Sequence, residues 1–303
     1  MPEITAAMVM NLRQQTGAAM MLCKEALKET DGDVEAATVF IRKKLGNKLS
    51  GATDRTAAEG VIAIVVLDSQ DAGIVELNAE TDFVARSEDF KSFARDLAEQ
   101  VARGKGHSVE TVLTQDSLAE PGKTVQARLE DVYTKLREKI VFKRFEFIST
   151  DEKGVLAGYV HVPSNDKIGV LVELEAASKD AAASEAAQNV GRELAMQIAA
   201  SKPRFQSRDE VPANILDQER DIARETARNE GRPEAQLDKI VEGRLRKFYE
   251  ETVLLDQAWL REPKKNVAQV LKEAGVTLRR YVRYSVGEQT GVETSGAIKE
   301  TAE

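Results

Sequence analysis

Residues able to do chemistry are few in this chain and lie far apart. Histidine occurs twice, at His107 and His161, and cysteine once, at Cys23. Neither histidine has a second imidazole or a thiol close in sequence, so the spacing offers neither a zinc set nor an activated nucleophile. His107 sits in a Gly-Lys-Gly-His loop that reads as solvated, and His161 in a strand-like run that reads as structural. The nearest approach to a phosphate loop is Gly122-Lys123-Thr124. A P-loop needs glycine where Ser117 stands and a strand where the pattern gives a loop. Glu120 and Pro121 also put a negative charge and a missing N–H where phosphate would sit. Acidic neighbours such as Glu130 and Asp131 fall on a helix face turned to solvent. The residues thus support no catalysis, no cofactor and no metal, which favours a binding protein.

One stretch is built differently. Thr81-Asp82-Phe83-Val84 lies between a strand-like run, Ile74 to Asn78, and an amphipathic helix, Glu88 to Ala102. An acidic residue beside a bulky aromatic at a strand-to-helix turn suits a rigid edge presented to another protein. The plainer alternative makes Asp82 an N-cap and Phe83 a core residue. Met20 and Met21 form a second unusual pair. Ala19, Leu22, Cys23, Ala26 and Leu27 share one face of their helix at 100° per residue, which leaves Met21 and Lys24 on the other and Met20 at the border. Thioether side chains adapt well to partner surfaces, the alternative being a cover for the core rim.

Composition narrows the classes. The chain has 303 residues, 42% apolar and 31% charged, which suits a helix-rich globular protein with more than one core. A net charge of −8 and aromatics at 5% oppose direct nucleic-acid binding, which needs clustered cations and stacking surfaces. A lone cysteine cannot form an internal disulfide and suits a reducing cytoplasm. Met1-Pro2-Glu3-Ile4-Thr5 lacks the marks of a signal peptide, and no run of about 20 apolar residues suggests a membrane span.

The elements that must position these residues follow from periodicity. Thr5 is a cap, with Ile4 as a staple, for a helix that ends at Thr16-Gly17. A second helix runs from Ala18 to Glu29, and a third from the cap Asp33 to Gly46. Val61 to Leu67 and Ile74 to Asn78 read as a β-hairpin joined by residues 68–73. Phe90, Phe93, Ala94, Leu97, Ala98 and Val101 then make one helical stripe. The grammar repeats roughly 95 residues on, from Gly154-Val155-Leu156-Ala157 through Gly169 to Leu174 and a helix carrying Val190, Leu194, Ile198 and Ala199. There Glu175-Ala176-Ala177-Ser178 occupies the place of the Thr81 stretch and carries no aromatic. Pro212 opens a helix that stops near Gly231, Pro233 to Leu255 reads as a longer one, and Asp256 to Lys265 as a turn region. Asn266 to Ala274 is a last helix before Gly275, and Leu278 to Val286 alternates as a strand.

The expected fold is α+β: an N-terminal three-helix module, a core of two related ββα subdomains and an inserted helical hairpin. Residues 1–46 form the module, 47–59 a linker, 60–140 the first core subdomain and 141–225 the second. Residues 226–275 form the hairpin, 276–287 a strand returning to the second subdomain, and 288–303 a polar tail. The helix-facing edges of the two subdomains are expected on one side, building a shared concave surface.

Two runs carry a family resemblance. Residues 12–27, Leu-Arg-Gln-Gln-Thr-Gly-Ala-Ala-Met-Met-Leu-Cys-Lys-Glu-Ala-Leu, closely resemble the N-terminal signature of bacterial elongation factor Ts. Thr81-Asp82-Phe83-Val84-Ala85-Arg86 resembles its second signature. Ala199-Ala200-Ser201-Lys202-Pro203, the Glu242-Gly243-Arg244 run with Lys247-Phe248, and the order of elements are similar as well. The resemblance covers nearly the whole chain. It implies a cytoplasmic guanine nucleotide exchange factor for the GTPase elongation factor Tu in protein biosynthesis, without catalytic residues of its own. It implies a ubiquitin-associated-like module and, in some members, dimer contacts through the hairpin. By position it assigns Arg13, Met20, Met21 and Lys24 to the GTPase's nucleotide-binding domain. Asp82 and Phe83 go to the neighbourhood of its magnesium and phosphates, Thr81 and Val84 beside them also to the GTPase contact, and Ile168, Gly169 and Gln197 to support of the core contact. Gln197 stands where a well-known relative has histidine; a planar amide can still hydrogen-bond there.

Overall fold

The computed structural model describes residues 4–16, 18, 20–49, 57–67, 70–104 and 106–288. The expected stop at Gly17, the Ala19 position, the middle of the linker, the Asp68-Ser69 tip, Lys105 beside His107 and nearly all of the tail lie outside the described residues.

Three helices open the chain: α1 (Ala6–Thr16), α2 (Met20–Glu29) and α3 (Val34–Leu49). Their caps are the expected ones. The Met8 N–H donates to Thr5 Oγ1 at 3.3 Å, and the Ala36 N–H to Asp33 Oδ1 at 3.0 Å. Val9, Leu12, Cys23, Ala26, Leu27, Ala37 and Ile41 form a small core. α3 does not stop at Gly46 but runs to Leu49. One glycine inside a helix costs only about 1 kcal/mol, too little to end it unaided.

The first sheet-and-helix unit contains β1 (Glu59–Leu67), β2 (Asp71–Ala79), α4 (Asp82–Arg86) and α5 (Glu88–Gly104). It continues through α6 (Val109–Thr114), α7 (Val125–Leu136) and β3 (Ile140–Ser149). The sheet is antiparallel in the order β1-β2-β3. β3 is a correction: a boundary after residue 140 gave this segment to the second subdomain. A two-stranded unit would leave β2, buried along nearly its whole length, as an unpaired edge, and β3 covers it. The stripe of α5 packs on this sheet, with Phe90, Phe93, Leu97 and Val101 against Val61, Val75 and Leu77.

The second unit repeats the plan with β4 (Gly154–Val160), β5 (Ile168–Ala176), α8 (Lys179–Ala182) and α9 (Glu185–Ser201). Then come α10 (Ala213–Asn229) and α11 (Leu237–Thr252), the helical hairpin, so a boundary at 226 falls inside α10. A two-stranded ribbon, β6 (Ala258–Trp259) and β7 (Glu262–Asn266), occupies the expected turn region. α12 (Val267–Glu273) and β8 (Val276–Ser285) close the unit, with sheet order β4-β5-β8. Trp259, Val267 and Leu271 pack into the same core as α9.

The two sheets pack face to face through Ile62, Ile74 and Ile148 on one side and Leu156, Leu171, Val282 and Tyr284 on the other. α5 and α9 therefore cover opposite outer faces, giving helix–sheet–sheet–helix layers. This overturns the expectation of one shared concave surface. Each sheet has two apolar faces, and the only arrangement that buries all four places the helices back to back across the sandwich.

Candidate protein-interaction site

The turn after β2 is built from backbone caps. Thr81, in extended backbone, accepts the Val84 N–H on Oγ1 at 3.4 Å and so caps α4. Asp82 is the first helical residue, where a negative charge meets the positive end of the helix. Ser87 then links α4 to α5: its hydroxyl donates to the Val84 carbonyl at 2.7 Å and accepts the Phe90 N–H at 3.4 Å. Ala85 is buried and Val84 packs on the first core, so α4 is held by its inner face. Phe83 points away and is 84% exposed. Neither plain reading survives, since the cap is Thr81 and Phe83 is outside the core. Asp82 Oδ2 pairs with Arg86 Nη2 at 2.9 Å, both groups standing in solvent.

Glu138, at the corner between α7 and β3, holds Thr81 from behind. The Thr81 N–H donates to Glu138 Oε2 at 3.0 Å and the Thr81 hydroxyl to Oε1 at 2.7 Å. Sequence reasoning missed this residue, which lies 57 positions away in a charged stretch without a recognisable motif.

Arg13, Met20, Met21 and Lys24 are all exposed on the module, Met21 at 76%, while Cys23, Ala26 and Leu27 fill the opposite face of α2. A cavity of about 740 Å³ separates α2 from α7, lined by Met21, Lys24, Lys44, Tyr133 and Arg137 among others. Arg137 precedes Glu138, so Met21 and Lys24 face the same corner that braces Thr81.

The remaining expected site residues lie deeper. Ile168 is half-buried, and its carbonyl accepts the His161 N–H at 2.8 Å. Gly169 is buried opposite Val160 and Tyr284, and a Cβ there would lie 2.4 Å from Ile62 Cγ2, so its size serves the contact between sheets. Gln197 is 2% exposed. Its amide nitrogen donates to the Ala258 carbonyl at 3.1 Å, and its oxygen accepts the Leu260 N–H at 2.9 Å. The loop before Ile168 is tied to α5, since Asp166 pairs with Lys91 at 2.5 Å and accepts the Ile62 N–H on its carbonyl at 2.7 Å. That loop exposes Val162 at 70%, a position with no sequence signal.

The other chemistry-bearing residues are occupied locally. Lys123 is paired with Glu120 and Asp131, both at 2.8 Å, and Thr124 caps α7, so the Gly122 stretch is a helix entry. His161 Nδ1 shares a hydrogen bond of 2.7 Å with the Tyr159 hydroxyl, and His107 is exposed.

Fold and site together define a duplicated α+β protein that presents a braced, aromatic-tipped turn beside a small helical module. Residues 80–288 match the family model described as Elongation factor TS. The chain is 42% identical over 291 residues to the elongation factor Ts of Thermobifida fusca (strain YX), an alignment spanning 95% of this chain and 100% of that protein. It belongs to the elongation factor Ts family.

Proposed function

We propose that the chain is a guanine nucleotide exchange factor for the translation GTPase elongation factor Tu, promoting GDP release in the cytoplasm during polypeptide elongation. Family membership supports the class of activity. The observation that carries the mechanism is Phe83, 84% exposed on a turn capped at both ends.

Exchange requires that factor and nucleotide each weaken the other's binding to the GTPase, reciprocally. Burying one phenylalanine yields roughly 1.5–3 kcal/mol, or one to two decades of affinity at about 1.4 kcal/mol per decade. A larger effect needs a second contribution, and Asp82 supplies it by bringing a carboxylate to the GTPase's magnesium and phosphates. Its surface pair with Arg86 is worth at most about 1 kcal/mol and opposes this little. Arg13, Met20, Met21 and Lys24 dock the module on the nucleotide-binding domain, the methionines adapting to its surface. Thr81 and Val84 hold the turn. Ile168, Gly169 and Gln197 support the core contact from within, through the sheet interface and the 257–260 loop. The hairpin, with Ile222 57% exposed, offers a surface for homodimer contacts.

The test is release of a fluorescent GDP analogue from purified elongation factor Tu. The wild-type chain accelerates it. Phe83→Ala lowers the accelerated rate by roughly ten- to a hundredfold and the affinity of the complex by less. Full stimulation by Phe83→Ala, or none by the wild type, overturns the reading.

A further inference from the structure

We propose that Glu138 is a positioning residue that clamps the Thr81 turn, so that Asp82 and Phe83 meet the partner already set. Its effect on exchange rests on the function proposed above; the clamp itself rests on geometry alone.

Both hydrogens of Thr81 go to the two oxygens of this one carboxylate, at 3.0 and 2.7 Å. Bonds to an ionised acceptor are the strong kind. Committing the hydroxyl hydrogen to Glu138 leaves a lone pair for the Val84 N–H, so clamp and helix cap are coupled. The brace is reciprocal, because the Lys139 N–H donates to Glu80 Oε1 at 2.8 Å. Two adjacent residues at each corner therefore hold each other just beyond the last β2–β3 pair, Ala79 with Ile140. α4 needs this help. A helix of five residues cannot sustain itself, and Phe83 contributes no packing to hold it.

The second unit is a built-in control. Its ladder ends at Ala176 with Val276, and Ser178 caps α8 through the Ala181 N–H at 3.2 Å. The residue two before Val276, in the place of Glu138, is Ala274, which has no carboxylate. α8, Lys-Asp-Ala-Ala, has no aromatic either. The clamp is present in the unit that carries an exposed phenylalanine and missing from the one that does not. Pre-setting a contact residue before encounter reduces the ordering cost of binding, which gives the clamp its use.

Glu138→Gln keeps the shape but turns an amide NH2 toward one of the two donors. Amide hydrogen exchange over residues 81–84 of the free protein should speed by roughly three- to tenfold, the worth of one net hydrogen bond lost, with the rest of the first unit unchanged. Accelerated nucleotide release should fall by a similar factor while complex affinity changes less. In an Asp82→Ala/Phe83→Ala background the same substitution should leave release unaffected, since Glu138 acts through the turn that carries both, whereas Ser178→Ala should leave release at the wild-type rate. Unchanged exchange at residues 81–84 overturns the clamp. Multiplying losses when Glu138→Gln is added to that background overturn its action through Asp82 and Phe83. If the wild type does not stimulate release, the exchange function falls and the hydrogen-exchange result still decides the clamp.

Discussion

In the first unit β3 bulges at Lys143, opposite Glu76 of β2, a fully buried carboxylate that takes Arg144 Nε at 2.6 Å and Lys143 Nζ at 3.1 Å. In the second, β8 bulges at Arg279, opposite Glu173 of β5, which takes Arg280 Nε at 2.8 Å and Arg279 Nη1 at 3.2 Å. Gln100 repeats the bonding of Gln197: its nitrogen donates to the Asp116 carbonyl at 3.2 Å and its oxygen accepts the Leu118 N–H at 2.9 Å. What the duplicated units share is thus polar as well as apolar, a carboxylate bracket at each bulge and an amide bracket under each central helix. What they do not share faces outward. Phe83 corresponds to Asp180, Glu138 to Ala274, and the short α6 to the α10–α11 hairpin. A buried polar group cannot lose its partner cheaply, so the brackets are kept in both copies. Outward positions carry no such penalty and can be turned to binding.

The largest effect should come from the brackets at the bulges. Glu76→Ala and Glu173→Ala should each cost about 3–5 kcal/mol, because each removes two charge-assisted hydrogen bonds worth about 1.5–3 kcal/mol apiece. Denaturant unfolding of the two variants measures this. Comparable losses sharpen the correspondence, and a loss in one unit alone breaks it. Next come Gln100→Ala and Gln197→Ala, which strand the Leu118 or Leu260 N–H at about 1–3 kcal/mol each. At temperatures where the fold is intact, Gln197→Ala should lower nucleotide release less than Phe83→Ala does, since Gln197 supports the core contact only through the 257–260 loop. A large loss of release from a folded Gln197→Ala protein would make Gln197 more than a bracket.

Much of this was legible in the sequence because helices with one apolar face announce themselves. The α5 stripe, the caps Thr5 and Asp33, and the hairpin helices all follow from period and capping chemistry. β3 was not legible. Lys143, Arg144 and Glu146 break its apolar alternation, and only the opposing Glu76 and the second sheet explain them. The counterpart of the Thr81 stretch was displaced for a related reason. Glu175 and Ala176 still belong to β5, and the true match is the capped turn Ser178-Lys179-Asp180-Ala181. The exposure of Phe83 and the grip of Glu138 depend on which side α4 faces and on a contact 57 residues away, and no local pattern encodes either.

The smallest effect tests the sheet interface. Glu146 lies opposite Ile74 in the first unit, where the second unit places Val282 opposite Leu171. Burial pushes the Glu146 carboxyl above the usual carboxylate range, only partly opposed by Arg280; His107, Lys143 and Arg144 line the same cleft, and Tyr284 faces it from the second sheet. A raised folded value means that the ionised form is the disfavoured one. The stabilising contribution of the protonated group is therefore complete below the unfolded value, about 4.3, and is lost as pH rises through the folded value. Glu146→Val, which installs the residue of the other unit, should raise stability at neutral pH by about 1 kcal/mol, the low end for a polar group buried without a hydrogen bond. The difference from wild type should narrow as the pH falls toward 4, read from unfolding midpoints at a series of pH values. A difference that widens toward acid would mean that Arg280 stabilises the ionised carboxylate, and that this position serves the first unit as a third polar bracket.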